Sequence, residues 1–539
     1  MRSRMLPLLL LLAAGALQAQ VPFDRILRSA DEPHNWLTYS GTTFSQRHSR
    51  LTQITPRNVA QLELQWVHQA MTNEPAVTKF EATPLVVDGI MYTVLPPNDV
   101  VALDAAEGRV LWTHRYAPAT TARPCCGRVN RGVAILGDLL FMGTIDGHLL
   151  AIDARTGRRV WDVTVGKAEA GYSVTHAPLV VKDMVIVGPA GGEFGIRGFL
   201  AAFDAATGKE RWRFNTVPGP GERGHESWSG DSWKTGGAPI WVTGSYDPDS
   251  NLTYWGTGNP SPAWNGDARA GDNLFSNSVV ALDADTGTLR WHFQFTPHDQ
   301  FDYDAAQVPV LADVAWQGRP RKVMLWANRN GFFYVLDRLT GDFLLGKPFV
   351  EVTWASGLDA TGRPLLVPEM LPQKNGGTMM APGNPGATNW WSPSFSPVTG
   401  LFYVPAQPAR TSRYVKEDAI YIEGEGFLGG GPKQPRSPDE TAGYGAVRAI
   451  DPASGAVKWE FKMGAQTQSG LLTTASNVLF TGNREGYFHA LDARTGTPLW
   501  QFTIGGVSTI MGPITYAVKN RQYVAVASGV STFAFAVHE

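Results

Sequence analysis

Apolar and polar residues alternate in short runs along most of this chain, and the runs end in tight polar turns. Residues 139–145 and 184–190 read as strands, and few stretches show the apolar spacing of a helix. A repeat organises these runs. Asp104, Asp153, Asp204, Asp283, Asp451 and Asp492 are each followed four residues later by Gly and eight residues later by Trp. The pattern reads as a strand, a turn capped by the Asp, a Gly in a conformation that a side chain would hinder, and a second strand. Its Trp is structural and docks between units. A seventh copy, Asp337 and Gly341, keeps the turn and lacks the Trp.

Units of roughly 40 to 50 residues built from short strands predict a β-propeller. The spacings from Asp204 to Asp283 and from Asp337 to Asp451 are long, so two units carry insertions. The Gly- and Pro-rich stretch 420–442 is expected to be an ordered loop or lid. Trp66, behind the strand-like residues 62–66, and the C-terminal apolar runs 523–528 and 533–537 predict that the two chain ends share a closing unit. The expected fold is all-β: an eight-bladed β-propeller with tryptophan docking, forming a single domain over residues 20–539.

The 539 residues are 43% hydrophobic and carry a net charge of -2. That is ample material for a large core, and it offers no basic surface for nucleic acid. Residues 1–19 have two early arginines, a short apolar run and small residues near Ala19. This is the form of a secretory signal peptide, with an uncleaved anchor as the alternative. No other run is apolar for long enough to span a membrane. Export to a periplasm bears on the only two cysteines, Cys125 and Cys126, which are adjacent. Oxidised to each other they would close a small ring, with Cα atoms about 3.8 Å apart, below the usual disulfide span. Such a bond staples no loop; it offers a flat, polarisable surface for something to lie against. Two unrelated buried thiols are the alternative, and an oxidising compartment favours the pair.

Familiar cofactor signals are missing. No C-x-x-C-H occurs, so the chain attaches no c-type haem of its own. Residues 424–429 match G-x-G-x-x-G, but no strand precedes them and no helix follows, which excludes a dinucleotide site. The residues that break the repeat say more. Glu81, Asn130, Arg131, Thr175, Glu193, Trp241, Asn259, Asp302, Asp304, Arg329, Asn389 and Trp390 do not fit a blade core. Taken singly, each is more often a turn cap, a salt bridge or a packed aromatic.

Taken together, CCGRVNRG, GGEFGIRG, GTGNP, TPHDQFDYD and NRNGFFYVLDR on this repeat resemble the pyrroloquinoline quinone (PQQ) dependent alcohol dehydrogenases of the methanol and ethanol type. The likeness runs over essentially the whole mature chain. It implies that Cys125 and Cys126 form a vicinal disulfide over one face of the quinone, with Trp241 beneath the other. Glu81, Arg131, Thr175 and Asn389, with the backbone at Gly191 and Gly192, match cofactor-binding positions. Glu193, Asn259 and Asp302 match metal ligands. Asp302 also matches the catalytic carboxylate, and Arg329 the cation beside the reactive carbonyls.

Oxygen ligands suit calcium, but Asp304 resembles the lanthanide-dependent branch, where an extra carboxylate balances a trivalent ion. The expected cation is therefore a light lanthanide, with calcium as the alternative. Two departures from the family pattern stand out: Gln468 lies near the place of an aromatic contact, and Pro189-Ala190 removes a hydroxyl contact. The resemblance implies a periplasmic enzyme that oxidises primary alcohols to aldehydes and passes electrons to a separate soluble cytochrome c. It has no stable membrane span, and a homodimer is allowed. The rivals are a same-fold dehydrogenase for polyols, sugars or aldehydes, and a non-enzymatic propeller scaffold.

Overall fold

In the computed structural model, which describes residues 21–70, 80–505 and 512–538, the repeat turns fold as their residue types require. The expected signal peptide lies outside the described residues. Asp153 Oδ1 accepts the N–H groups of Arg155 and Thr156 at 3.1 and 2.8 Å, and Asp204 Oδ1 accepts that of Thr207 at 2.9 Å. Gly157 follows at φ +71°, and a Cβ there would stand 2.6 Å from Cε3 of Trp112. The indole of one unit thus packs on the turn of the next, and Trp112 Nε1 donates to the Ala154 carbonyl at 3.1 Å. At the seam that lacks a Trp, Leu345 and Lys347 fill the place: a Cβ on Gly455 would meet them at 3.0 and 2.7 Å. Gly157→Ala is expected to destabilise the fold by about 1–3 kcal/mol, through overpacking and the positive φ together. Thermal denaturation of the variant checks this.

Among the described residues, the turns join strands into eight sheets of four or five strands. In one of them, Ala134–Leu136, Leu139–Gly143, His148–Asp153 and Arg159–Thr164 lie side by side, each pair antiparallel. Leu139–Gly143 and His148–Asp153 are almost wholly buried, while Arg159–Thr164 is half-buried to exposed. The core therefore lies between sheets, with the last strand of each toward water. Leu62–Gln69 pairs antiparallel with Ser531–Val537, and Ile514–Val518 and Arg521–Ser528 complete that sheet, so the two ends meet as expected. The result is an all-β propeller, and Phe23–Leu27 is the one α-helix among the described residues.

The long insertion after Asp337 adds two small sheets: Ala355–Leu358 with Pro364–Leu366, and Thr378–Met380 with Ser412–Lys416 and Gly430–Pro432. The stretch 420–442 is thus not a loop alone, since it supplies the strand Gly430–Pro432. Just before that strand, the Phe427 N–H donates to the Glu193 carbonyl at 2.7 Å, which lays the insertion beside the polar centre of the molecule.

Candidate functional site

The segments that lead into the first strands of successive sheets converge. Glu81 lies shortly before Leu85–Val87, Cys125 to Arg131 before Ala134–Leu136, and Thr175 before Leu179–Val181. Trp241 stands before Ser245–Asp247, and Asp302 and Asp304 before Val310–Trp316. Asn389 precedes Ser394–Ser396, and Gln468 precedes Leu472–Thr474. Gly191, Glu193 and Arg329 come from links between second and third strands. Apart from Arg128 and Asn130, these residues line one cavity of about 300 Å³, a volume within the range of small-ligand sites.

Cys125 and Cys126 form a disulfide and are exposed to the cavity, so the reading of two separate buried thiols does not hold. Their sulfurs and a Glu193 carboxylate oxygen lie within 4.8 Å of one another. Trp241 shares the same cavity. Between the indoles of Trp241 and Trp390 sits the Arg131 guanidinium, 5.0 and 4.5 Å from their ring centroids. Arg131 Nη2 also pairs with Glu81 at 2.8 Å, both side chains being almost fully buried, and Nη1 donates to the Thr175 hydroxyl at 3.1 Å. This preset cation suits an anionic group of a ligand. Asn389 Nδ2 donates to the Pro385 carbonyl at 2.8 Å, which holds the loop that presents Trp390.

Carboxylates gather in another part of the cavity wall. Asp302 sits at φ +60°, a backbone conformation that costs an L residue of order 1–2 kcal/mol and tends to mark functional positions. Its Oδ2 accepts from Arg329 Nη2 at 3.1 Å, and Arg329 Nη1 lies 3.7 Å from Asp304. Asp304 also accepts the Trp241 indole N–H at 2.6 Å and the Asn259 backbone N–H at 2.9 Å. Burial pushes Asp302 well above the ordinary carboxylate range, with Asp304 and Glu193 adding to the effect and Arg329 opposing it. Burial raises Asp304 too, against the pull of Arg329 and the two N–H donors. Arg329 is held charged by the facing carboxylates, which outweigh the burial that opposes its charge. One guanidinium faces three acids here, which is a setting for a multivalent cation.

Glu193 is pushed up to about 7, first by burial and then by the charge of Asp304. Its unfolded value is 4.5, so the folded chain holds this proton more tightly, and stability falls as pH rises from about 4.5 to 7. In chelator-treated protein Tm is expected to decline across that window, and Glu193→Gln to flatten the decline. An unchanged slope in the Gln variant would count against this origin.

Two expected residues, Gly192 and Asn259, stand behind the cavity lining and not in it. Asn259 is buried, and its Oδ1 has no hydrogen-bond partner among the described residues. A Cβ on Gly192 would come within 2.9 Å of that oxygen, and a Cβ on Gly191 (φ +128°) within 2.2 Å of the Gly171 carbonyl, so only glycines fit here. An orphaned amide oxygen that faces Gly192, on a residue whose backbone N–H binds Asp304, suits a hard cation. Asn130 is placed elsewhere: its amide donates to the Gly143 carbonyl and its oxygen accepts the Gly132 N–H, which makes it a turn brace.

Ser173 and Asn384, which the sequence did not single out, also line the cavity. Ser173 is two residues from Thr175, hence on the same face of an extended segment, and it bridges to Ala190 through paired backbone hydrogen bonds. Ser173 thus brings a hydroxyl-bearing residue opposite Ala190, which has none. Asn384 contributes its carbonyl, which accepts from Arg329 Nη2 at 2.9 Å.

Residues 36–354 match the family profile described as glucose/ethanol/alcohol dehydrogenase, beta-propeller domain. Residues 443–536 match a second profile, described as outer membrane protein assembly factor BamB. The chain belongs to the PQQ-dependent quinoprotein alcohol dehydrogenase family and is an oxidoreductase of that class. It is 39% identical to the quinoprotein alcohol dehydrogenase PedH of Pseudomonas putida, over 96% of this chain and 90% of that protein. A solved europium-containing methanol dehydrogenase superposes with a TM-score of 0.88 at 35% identity, over 94% of this chain and 92% of the other. The quinohemoprotein alcohol dehydrogenase of Comamonas testosteroni superposes with a TM-score of 0.89 at 36% identity, over 97% of this chain and 83% of that one.

Proposed function

We propose that this chain oxidises primary alcohols to aldehydes in the periplasm, with PQQ and a multivalent cation bound in the cavity between Cys125-Cys126 and Trp241. The observation that carries the reading is the convergence of these three residues with Arg131, Glu193, Asp302, Asp304 and Arg329 on one cavity. Residues 20–539 form a single propeller domain after removal of the signal peptide. Eight sheets and the Trp-on-Gly contacts support eight blades closed by tryptophan docking.

Bound PQQ and its cation would supply the hydride acceptor and a Lewis acid. The chain's own residues do the rest. The disulfide and the Trp241 indole bound the slot for a flat ring and exclude water from its faces. Arg131, Thr175, Ser173 and Asn389, with Glu81 fixing Arg131, would bind its anionic and polar edge, helped by the backbone at Gly191, which Gly192 supports from behind. Glu193, the Asn259 amide oxygen, Asp302 and Asp304 would hold the cation. An alcohol hydroxyl placed against Asp302 gives its proton to that carboxylate. Burial makes Asp302 a stronger base than a solvated acid, and Arg329 at 3.1 Å opposes that rise and favours the charged form. The Arg329 charge would also offset negative charge that the bound ring gains on reduction. With no haem attachment motif in the chain, the electron acceptor is a separate soluble cytochrome c.

The four oxygen donors, three of them carboxylates, favour a light lanthanide. Calcium has one specific observation on its side: both Asp304 oxygens already accept hydrogen bonds, from Trp241 and Asn259. Metal-stripped protein given PQQ with lanthanum alone or calcium alone, and assayed for alcohol-dependent reduction of an artificial acceptor, decides between them. Turnover with lanthanum is expected. Full activity with calcium only would defeat the lanthanide assignment, and activity with neither would count against both cations at this site. A panel including polyols, sugars and aldehydes tests the substrate class.

A further inference from the structure

We propose that Asp299 is the positioning residue for Asp302, bracing the turn that holds Asp302 in its left-handed backbone conformation. The inference rests on the reading above, in which Asp302 accepts the substrate proton. Asp299 is fully buried, and each of its carboxylate oxygens is engaged by a backbone donor. Oδ1 accepts the N–H of Phe301 at 3.1 Å, and Oδ2 accepts that of Tyr303 at 3.1 Å. Those amides belong to the two residues that flank Asp302, where φ is +60°. One side chain therefore clamps both sides of the residue whose carboxylate reaches Arg329.

The clamp has a fixed base. Arg269, also fully buried, donates through Nη2 to the Asp299 carbonyl, and further to the carbonyls of Pro262 and Ala263 and to Asn273 Oδ1. On the far side of Asp302, the Tyr303 hydroxyl donates to the Pro382 carbonyl at 2.5 Å. The main chain on either side of Asp302 is thus tied to separate loops, and the Asp299 carboxylate spans the residue between them. Without it, Asp302 can relax toward the negative φ that L residues favour, which turns its carboxylate away from Arg329. A misplacement of about 1 Å at a reacting group lowers rates by about 10²-fold.

An ordinary buried turn cap would lower stability and leave the activity of each folded, loaded molecule unchanged, so the test separates the two roles. Asp299→Ala removes both acceptors, whereas Asp299→Asn keeps one. In the holoenzyme, kcat per bound quinone is expected to fall about 100-fold in the Ala variant and by an intermediate factor in the Asn variant. KM should move less than about threefold. Hydrogen exchange at the amides of Phe301 and Tyr303 should accelerate, with quinone stoichiometry unchanged. If kcat per bound quinone stays within about threefold of the parent in both variants, or activity falls only in step with lost quinone, the proposal is overturned. Should the Ala variant not fold, the Asn variant decides alone on the same criteria. A parent protein that takes up no quinone overturns the functional reading instead, and exchange at the two amides then judges the brace by itself.

Discussion

Asp302→Asn is expected to lower kcat by about 10²–10⁴-fold, the range for losing a positioned proton acceptor, while leaving Tm unchanged or slightly raised. The substitution is nearly isosteric, and Asn tolerates φ +60° at least as well as Asp. It also removes a carboxylate whose charged form burial disfavours. The variant thus separates chemistry from folding: the amide oxygen can still accept from Arg329 Nη2, but it cannot take a substrate proton. Steady-state kinetics normalised to bound quinone checks this. A kcat within tenfold of the parent would remove Asp302 from the proton-accepting role.

Arg131→Met carries the second large effect, and it acts twice. Arg131 and Glu81 are a buried pair at 2.8 Å, with relative exposures of 5% and 2%. Removing one partner of such a pair typically destabilises by about 3–5 kcal/mol, because the remaining charge loses its compensation. The same change removes the cation stacked on Trp241 and Trp390, which in the proposed function binds the ligand's anionic edge. Glu81→Gln combined with Arg131→Met is therefore expected to recover most of the stability and little of the quinone affinity. Denaturation and quinone titration of the single and double variants report the two effects separately. Recovery of both together would mean that Arg131 acts on the fold alone.

Much of this architecture was legible in the sequence because the repeat is a local device. An Asp cap, a glycine at positive φ and an indole at fixed spacing need no distant information to be read, and the turn at Asp153 and Gly157 forms as its residues imply. Site membership was legible for a complementary reason. Residues such as Glu193, Asp302 and Arg329 break the apolar alternation, and a propeller brings the segments entering each sheet to one place. Function outside that logic was hidden. Ser173 reads as one more polar residue in a strand-like run, and only its bridge to Ala190 puts its hydroxyl at the cavity. Asn384 contributes a backbone carbonyl, which no side-chain pattern reveals. Asn130 breaks the repeat as the site residues do, but its amide is spent on the Gly143 carbonyl and its oxygen on the Gly132 N–H. The strand Gly430–Pro432 lies in a stretch whose glycines and prolines suggest loop, since pairing with Ser412–Lys416 outweighs local preference.

The most direct test of the quinone slot and its cation is a crystal structure of the protein grown with PQQ and a lanthanide, with the ion located by its anomalous signal. The ring should lie between the sulfurs of Cys125-Cys126 and the Trp241 indole, and the anomalous peak within bonding distance of Glu193, Asn259 Oδ1 and Asp302. A ring bound elsewhere, or an ion away from those three residues, would contradict the account.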